Sequence, residues 1–261
     1  MPLMLEADSD KPIRILIIVA HPDDIEFGAG GSVARWVDKG ATVTYCIVTD
    51  GAAGSNDPTV TRDDLIARRQ TEQRAAAQIV GVYDVRFLGY ADGALESTLA
   101  LRRDLTRIIR QVRPDRVVLM DPTTMLVSTG EFDYINHPDH RAAGEAALYA
   151  VFPSAETRPI FPELLDEKLE PHHVTELYLV LSDKPNLAVD VSAYGDRKIE
   201  SLLQHRSQIG EEVVEMVRGW DARGAAEVAI DGVSHAETFR VLRFPVNVPA
   251  PIAPDPSEAT N

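Results

Sequence analysis

Two short elements rich in histidine and aspartate carry the side chains best suited to chemistry. His21 and Asp24 follow the apolar run 15–20 at once, and His137 and His140 come more than a hundred residues later. Both elements contain the tripeptide His-Pro-Asp. Catalytic zinc sites commonly use three histidine or carboxylate ligands and leave a fourth position for water. The residue types therefore predict that His21, Asp24 and His140 bind one metal ion.

Two further polar groups in these elements fit roles in metal-assisted hydrolysis of a carbonyl compound. A metal ion acidifies a bound water towards neutrality, which provides a nucleophile at pH 7. Asp23, adjacent to Asp24 but pointing elsewhere, is predicted to take the proton of that water as general base. His137, three residues before His140, is predicted to act as an imidazolium that stabilises an oxyanion or protonates a leaving amine.

The placement of these residues depends on a predicted parallel sheet. The run 15–20 is apolar throughout and β-branched at several positions, which is typical of a strand buried on both faces. Pro22 disfavours helical backbone at His21, so the chain leaves this strand extended. Open α/β sheets hold ligands at the carboxyl ends of their strands. We therefore expect both elements at that edge of the sheet.

Strand and helix patterns alternate along the chain and predict an α/β, Rossmann-like fold, with a mostly parallel sheet and helices on both faces. The other predicted strands are 41–49, 85–88, 116–120, 174–181 and 187–191. The predicted helices are 32–39, 61–80, 99–112, 141–151, 193–206, 211–223 and a short one at 236–242. Irregular backbone is expected at 121–136, and a surface excursion at 153–171.

One domain, residues 13–244, is expected to hold all of these elements, because the chain of 261 residues is long enough for one large core. Residues 1–12 are expected to be a flexible N-terminus. The proline-rich stretch 245–261 offers little to bury and is expected to be a disordered tail.

Charge and composition argue against several classes of function. Asp and Glu number 41 against 26 Lys and Arg, which gives a formal net charge of −15 that repels nucleic acid and anionic membrane surfaces. No apolar run is long enough to cross a bilayer, and the first dozen residues do not have the pattern of a signal peptide, so a cytoplasmic location is expected. The single cysteine, Cys46, lies in an apolar run and is expected to be a buried thiol.

The motifs together resemble the LmbE-like, or PIG-L, family of zinc-dependent N-deacetylases. The resemblance is strong over residues 13–152 and rests on these segments: Ala20–Gly31 (AHPDDIEFGAGG), Thr49-Asp50-Gly51, Arg69-x-x-Glu72, Phe87–Gly93 (FLGYADG), Arg113-Pro114-Asp115, Asp121-Pro122 and His137–Arg141 (HPDHR). A weaker match follows at Ala236-Glu237-x-Phe239-Arg240. Members that act in thiol pathways have a tyrosine where this chain has Ile135, and that difference bears on the substrate.

What this resemblance implies is zinc binding by His21, Asp24 and His140, general-base catalysis by Asp23 and support of the tetrahedral intermediate by His137. It also implies hydrolysis of an N-acetyl group from an amino sugar, N-acetylglucosaminide-type, with release of acetate. Arg69 matches a family arginine near the sugar, and Asp92 lies in a loop close to the site. Their alternative roles are an ion pair with Glu72 and an ordinary turn. The resemblance also allows a homo-oligomer.

Other interpretations remain open at this point. The same five residues would serve an amidase that acts on a larger amide such as a thiol-sugar conjugate, and a non-catalytic carbohydrate-binding domain is a further alternative. A His₂Asp site also accepts Fe²⁺ or Mn²⁺. The glycines at 28–31 do not have dinucleotide-binding spacing and instead predict close packing of a helix on the sheet. No G-x-S-x-G element supports a serine esterase.

Overall fold

The computed structural model describes residues 3–7, 13–128 and 133–245. The strands are β1 (Met4–Leu5), β2 (Arg14–Val19), β3 (Thr42–Thr49), β4 (Asp84–Tyr90), β5 (Arg116–Met120), β6 (Leu126–Ser128), β7 (Asp133–Ile135), β8 (Glu176–Val180), β9 (Leu187–Asp190) and β10 (Ala236–Arg243). The α-helices are α1 (Asp24–Asp38), α2 (Arg62–Ile79), α3 (Leu99–Val112), α4 (Pro138–Tyr149), α5 (Glu163–Asp166), α6 (Gly195–Leu202) and α7 (Val214–Val228). A distorted helical turn, Ala150–Ala155, and a short 3₁₀ turn, Glu211–Val213, complete the list.

An eight-stranded sheet in the order β1-β9-β10-β8-β5-β2-β3-β4 forms the centre of the molecule. Strands β8, β5, β2, β3 and β4 are mutually parallel, and β10 runs antiparallel to both β8 and β9. The predicted α/β fold with a mostly parallel sheet is confirmed. The chain continues from β2 through β3 and β4 on one side and then returns to β5 on the other side of β2. With right-handed connections, this change of direction puts helices on both faces of the sheet. It also creates a crevice at the carboxyl ends of β2 and β5.

The core is built on β2 and β3, whose apolar residues are almost completely inaccessible to solvent. Cys46 on β3 is buried as predicted, and burial raises the pKa of its thiol to about 12. Of the helices in the described part of the chain, none is both long and apolar enough to cross a bilayer.

Helix α1 begins at Asp24, eight residues before the predicted start at position 32. The glycines inside it allow a close approach to other elements. A Cβ atom on Gly31 would lie 2.9 Å from Val191 Cβ, and one on Gly28 would lie 3.2 Å from Val180 Cβ at the end of β8. The predicted role of these glycines in close packing is confirmed, but they lie within the helix rather than before it.

Two other expectations are wrong. Residues 236–243 form strand β10 instead of a short helix, because pairing on both edges with β8 and β9 overrides a pattern too short to distinguish the two structures. Residues 3–7, expected to be part of a flexible end, include β1, which pairs in parallel with β9. Glu6 then accepts hydrogen bonds from Trp36 Nε1 at 2.8 Å and the Tyr178 hydroxyl at 3.0 Å.

The remaining sequence expectations concern loops and termini. The stretch expected to be irregular at 121–136 contains the antiparallel pair β6–β7, and its residues 129–132 lie outside the described residues. The excursion 153–171 is held by the buried guanidinium of Arg110, which donates to carbonyls of Ser154, Ala155, Thr157, Ile160 and Leu169. The expected tail beyond Pro245, and residues 1, 2 and 8–12 of the expected flexible N-terminus, lie outside the described residues.

A buried ion triad ties α1, α6, α7 and β10 together. Lys198 Nζ donates to Asp221 Oδ1 at 2.8 Å and lies 2.8 Å from Glu237 Oε1. Glu237 also accepts hydrogen bonds from the backbone N–H groups of Gly31 and Ser32 in α1, at 3.0 and 2.7 Å. One ammonium group thus lies between two carboxylates. One of these, that of Glu237, also accepts backbone hydrogen bonds from within α1.

The triad predicts a specific pH dependence of stability. Burial raises the pKa of Asp221 to about 6, partly offset by Lys198 and reinforced by the charge of Glu237. A carboxyl whose pKa is higher in the folded than in the unfolded state stabilises the fold at low pH and loses that contribution as the pH rises through the folded value. We therefore expect the free energy of unfolding of the wild type, measured relative to Asp221→Asn by urea denaturation, to fall between pH 4 and pH 7. A constant difference over this range would contradict the assignment.

Candidate metal-dependent active site

The three predicted metal ligands meet at the carboxyl ends of β2 and β5. His21 follows β2, Asp24 begins α1, and His140 lies in the first turn of α4. His140 Nε2 is 3.1 Å from Asp24 Oδ1, and His21 Nδ1 is 3.5 Å from Asp24 Oδ2. One potential ligand atom from each of the three residues lies within 4.8 Å of the others. The structure therefore brings together the trio selected from the sequence.

Hydrogen bonds on the far side of His140 leave its inward nitrogen able to bind a metal. Asn136 Nδ2 donates to the Thr124 carbonyl at 2.9 Å, which orients the amide so that Oδ1 faces His140 Nδ1 at 3.0 Å. Because an amide oxygen only accepts, Nδ1 carries the ring proton. The lone pair of Nε2 then points towards Asp24, as a ligand requires.

His21 is oriented in the same way by two carboxylates. Its Nε2 lies 3.2 Å from Asp92 Oδ1 and 3.3 Å from Asp139 Oδ2, so Nε2–H donates outwards and Nδ1 faces Asp24. Burial would lower the pKa of His21, but the charge of Asp24 and the hydrogen bonds to Asp139 and Asp92 raise it to about 12. The three carboxylates favour a positive charge at or beside the His21 ring. A bound proton can provide this charge, and so can a divalent cation. The donor set of two imidazoles and one carboxylate fits such a cation.

Asp139 does not cap the helix that it begins. The N-cap of α4 is His137, whose Nδ1 accepts from Asp139 N–H at 3.2 Å. The fully buried Asp139 carboxylate instead accepts from Gly93 N–H at 2.7 Å and Leu95 N–H at 3.2 Å. It is therefore fixed by the backbone and orients His21. The repeated His-Pro-Asp tripeptide was the available signal for it.

Asp23 has the environment of a general base. It is held at φ 104°, a left-handed conformation that is strained for a residue other than glycine. Burial and the charge of Asp24 raise the pKa of Asp23 to about 6, against the opposing charge of Arg69. A carboxyl with a pKa near neutrality can both take and return a proton.

A buried polar network supports the backbone of Asp23, and the sequence analysis did not find it. Gln73 Oε1 accepts from Asp23 N–H at 3.0 Å, while Gln73 Nε2 donates to Glu26 Oε1 at 2.9 Å. Glu26 Oε2 is 3.2 Å from His205 Nε2. The side chains of Glu26, Gln73 and His205 are all inaccessible to solvent. The available sign in the sequence was the helical spacing of Gln73 from Leu65 and Ala76, which lie on the buried face of α2.

Replacing Gln73 with leucine should lower kcat about 10- to 100-fold with little change in KM. The reason is that the backbone N–H of Asp23 loses the side-chain oxygen that accepts its hydrogen bond. Metal content should stay at the wild-type value. The matched control is Gln78→Leu, an exposed position on the same helix. If Gln73→Leu lost only stability and kept the wild-type kcat, the network would be structural rather than positioning.

Arg69 and Asp92 both line the site. Arg69 Nη2 donates to the Pro22 carbonyl at 2.8 Å and to Asp23 Oδ2 at 3.2 Å, and Nη1 donates to the Gly51 carbonyl at 2.9 Å. The alternative ion pair with Glu72 is not formed; Glu72 accepts from Ser207 N–H instead. Asp92 contacts His21 and accepts from Ala53 N–H at 2.9 Å. Arg69 thus holds Asp23 in place, and Asp92 holds His21.

His137 stands at the mouth of the site, with its ring edge-on to His21 at a centroid distance of 4.8 Å. Its Nδ1 accepts a hydrogen bond, so the ring proton is on Nε2. Burial and the neighbouring charge of His21 lower the pKa of His137. The structure therefore favours a neutral imidazole that donates through Nε2–H, in place of the expected imidazolium. His21, His137 and Asp139 also lie close enough to form a second grouping, but the Asp139 oxygens already accept backbone hydrogen bonds.

A cleft of about 760 Å³ opens above these groups. Part of its lining, here called the aromatic wall, consists of Phe27 from α1 and Met216 and Trp220 from α7. The lining also includes Val127 and Tyr134 from the β6–β7 pair and Leu181 after β8. The cleft thus has an apolar lining in addition to the candidate catalytic groups.

Comparison with known proteins agrees with this geometry. The family model PIG-L, described as GlcNAc-PI de-N-acetylase, matches residues 16–151, just over half of the chain. Diacetylchitobiose deacetylase of Thermococcus kodakarensis is 32% identical over 207 residues, covering 78% of this chain and 73% of that protein. A probable N-acetyl-α-D-glucosaminyl L-malate deacetylase 2 of Bacillus anthracis is 30% identical, covering 80% of this chain and 87% of that protein.

Among solved structures, N,N'-diacetylchitobiose deacetylase from Pyrococcus horikoshii, complexed with its inhibitor MPG, superimposes with a TM-score of 0.82. The two sequences are 30% identical, and the match covers 92% of this chain and 87% of that one. With the family model, the curated relatives and this structure in agreement, the chain belongs to the PIG-L family.

Proposed function

We propose that the protein is a metal-dependent hydrolase that removes the N-acetyl group from an N-acetylglucosaminide-type amino sugar. The observation that carries the proposal is the His21–Asp24–His140 trio with the carboxyl of Asp23 beside it. Relatives named as deacetylases of N-acetylated amino sugars support the same reaction. The substrate is a small molecule, in keeping with a chain whose net charge of −15 repels nucleic acid.

His21 Nδ1, His140 Nε2 and an Asp24 carboxylate oxygen would hold the metal. Zinc is the expected ion, and the same donor set accepts Fe²⁺ or Mn²⁺. Bound there, the metal supplies Lewis-acid chemistry by making water more acidic and polarising a carbonyl oxygen. Asp92, Asp139 and Asn136 keep the two imidazoles in the tautomers that this role needs.

The other residues divide the proton transfers between them. Asp23 takes a proton from the water whose oxygen attacks the acetamide carbon, and Arg69 keeps the carboxylate in place. His137 donates its Nε2–H to the oxygen on which negative charge develops. When the C–N bond breaks, Asp23 returns the proton to the amine nitrogen, because a neutral His137 is a poor acid. Acetate and the free amino sugar are the products.

The proposal is tested by measuring acetate release from N-acetylglucosamine and its glycosides, with and without a chelator. Stoichiometric acetate and free amine, abolished by chelation and restored by added metal, are expected. Hydrolysis of only larger amides, such as thiol-sugar conjugates, would replace the deacetylase proposal with the amidase alternative. Binding of these sugars without any hydrolysis would favour a carbohydrate-binding domain.

A further inference from the structure

The aromatic wall of the cleft has no role in the chemistry described above. Phe27 lies one helical turn after Asp24, so its side chain stands on the same face of α1 as the metal ligand. Met216 and Trp220 are four residues apart in α7 and share one face of that helix. The Phe27 and Trp220 rings lie 6.2 Å apart at an angle of 47°. An apolar surface thus begins next to the reacting groups and extends away from them.

This wall is partly accessible to solvent. Met216 is 39% exposed, and two other apolar residues of the cleft lining, Leu181 and Tyr134, are 41% and 44% exposed. Leu181 is also held at φ 54°, a left-handed conformation that is strained for leucine. Large, partly exposed apolar side chains that line a concave site are typical of a ligand-binding surface.

The charges of the cleft disfavour an anionic ligand group. The carboxylates that line it are Asp23, Asp24, Asp92, Asp183 and Glu227. Among the described residues that line it, the arginines are Arg69 and Arg223, and Arg69 already donates to Pro22, Gly51 and Asp23. The lining histidines, His21, His137 and His140, belong to the proposed catalytic site. A divalent cation adds two positive charges and still leaves the carboxylates in excess. Recognition of phosphate or carboxylate groups uses clustered basic side chains, which this cleft does not offer.

We propose that the aromatic wall formed by Phe27, Met216 and Trp220 is a subsite for an uncharged second sugar ring, attached to the N-acetylglucosaminyl group that is hydrolysed. The apolar C–H face of a pyranose packs on an aromatic ring, and its hydroxyl groups remain in water or bond to the polar rim. The inference rests on the proposed deacetylase function and narrows its substrate to neutral oligosaccharides. It separates this chain from relatives named for an anionic aglycone such as malate.

The test compares kcat/KM for N-acetylglucosamine, N,N'-diacetylchitobiose and N-acetylglucosaminyl malate with the metal-loaded protein. We expect the disaccharide to exceed both other substrates by about tenfold or more. Trp220→Ala should lower the ratio of disaccharide to monosaccharide activity about tenfold, mainly through KM, and Trp220→Phe should restore most of it. Met216→Ala, at a more exposed position of the wall, should lower the same ratio by a smaller factor.

Tyr83→Ala serves as the matched control, because Tyr83 is an exposed aromatic residue that is not part of the cleft lining; it should keep the wild-type ratio. Equal losses on both sugars in Trp220→Ala, or a malate glycoside that outperforms the disaccharide, would overturn the subsite. If no substrate released acetate, the deacetylase proposal would fail separately. Calorimetric binding of N,N'-diacetylchitobiose to the wild type and to Trp220→Ala would then decide the subsite, with equal affinities contradicting it.

Discussion

Asp23→Ala is expected to keep its metal and lose turnover by about a thousandfold, whereas Asp24→Ala is expected to lose the metal itself. The two carboxylates are neighbours in sequence but face different partners. Asp24 lies against His21 and His140. Asp23 is turned away by its left-handed backbone towards Arg69. Adjacent aspartates can thus have separate roles, one in holding the cation and one in moving protons.

Metal content by elemental analysis and kcat for acetate release distinguish these roles in one set of proteins. Asp57→Ala, in an exposed loop, is the matched control and should match the wild type in both measurements. Full activity in Asp23→Ala at normal metal content would exclude Asp23 as the base. Normal metal content in Asp24→Ala would remove it from the ligand set.

Lys198→Met is expected to lower the free energy of unfolding by about 3–5 kcal/mol. The ammonium group is 1% exposed and is the positive partner of both Asp221 and Glu237. Without it, two buried carboxylates are left without a counter-charge, and one of them still accepts hydrogen bonds from α1. Because the triad connects α1 to elements that follow the family-matched region, we expect the whole domain to be affected.

Urea denaturation of Lys198→Met and of Lys184→Met, an exposed lysine, gives the comparison. Adding Asp221→Asn to Lys198→Met should recover part of the loss, since it removes one uncompensated charge. A loss below about 1 kcal/mol, or a double variant no more stable than Lys198→Met, would show that the triad is not a buried electrostatic unit.

The meeting of His21, Asp24 and His140 could be predicted because the segments that carry them follow local rules. His21 leaves a buried strand before a proline, and His140 lies at a helix start after a strand exit, so the sheet edge brings them together. The repeated tripeptide drew attention to Asp139, but the contacts that orient the two histidines could not be predicted. Asp139 acts on a histidine 118 residues away, and His205 reaches Glu26 across 179 residues, in each case through contacts that depend on the finished fold.

The incorrect predictions of secondary structure and of the His137 proton also result from contacts between distant parts of the chain. The glycines of α1 disfavour helix locally, yet close contacts with Val180 and Val191 make them necessary within the helix. Strand β10 is defined by its two neighbours in the sheet, and its eight residues carry no periodicity that excludes a helix. The position of the ring proton of His137, on Nε2, follows from the hydrogen bond that the Asp139 backbone N–H donates to Nδ1. Only the folded chain brings these two groups together.

Metal titration of the metal-free protein tests the central claim most directly. The protein would be stripped with a chelator, checked by elemental analysis, and titrated with Zn²⁺, Fe²⁺ or Mn²⁺ while acetate release from N,N'-diacetylchitobiose is followed. We expect no activity in the metal-free protein and a linear rise that ends at one equivalent of metal per chain. Undiminished acetate release from the metal-free protein would contradict the assignment of His21, Asp24 and His140 as the ligands of a catalytic metal.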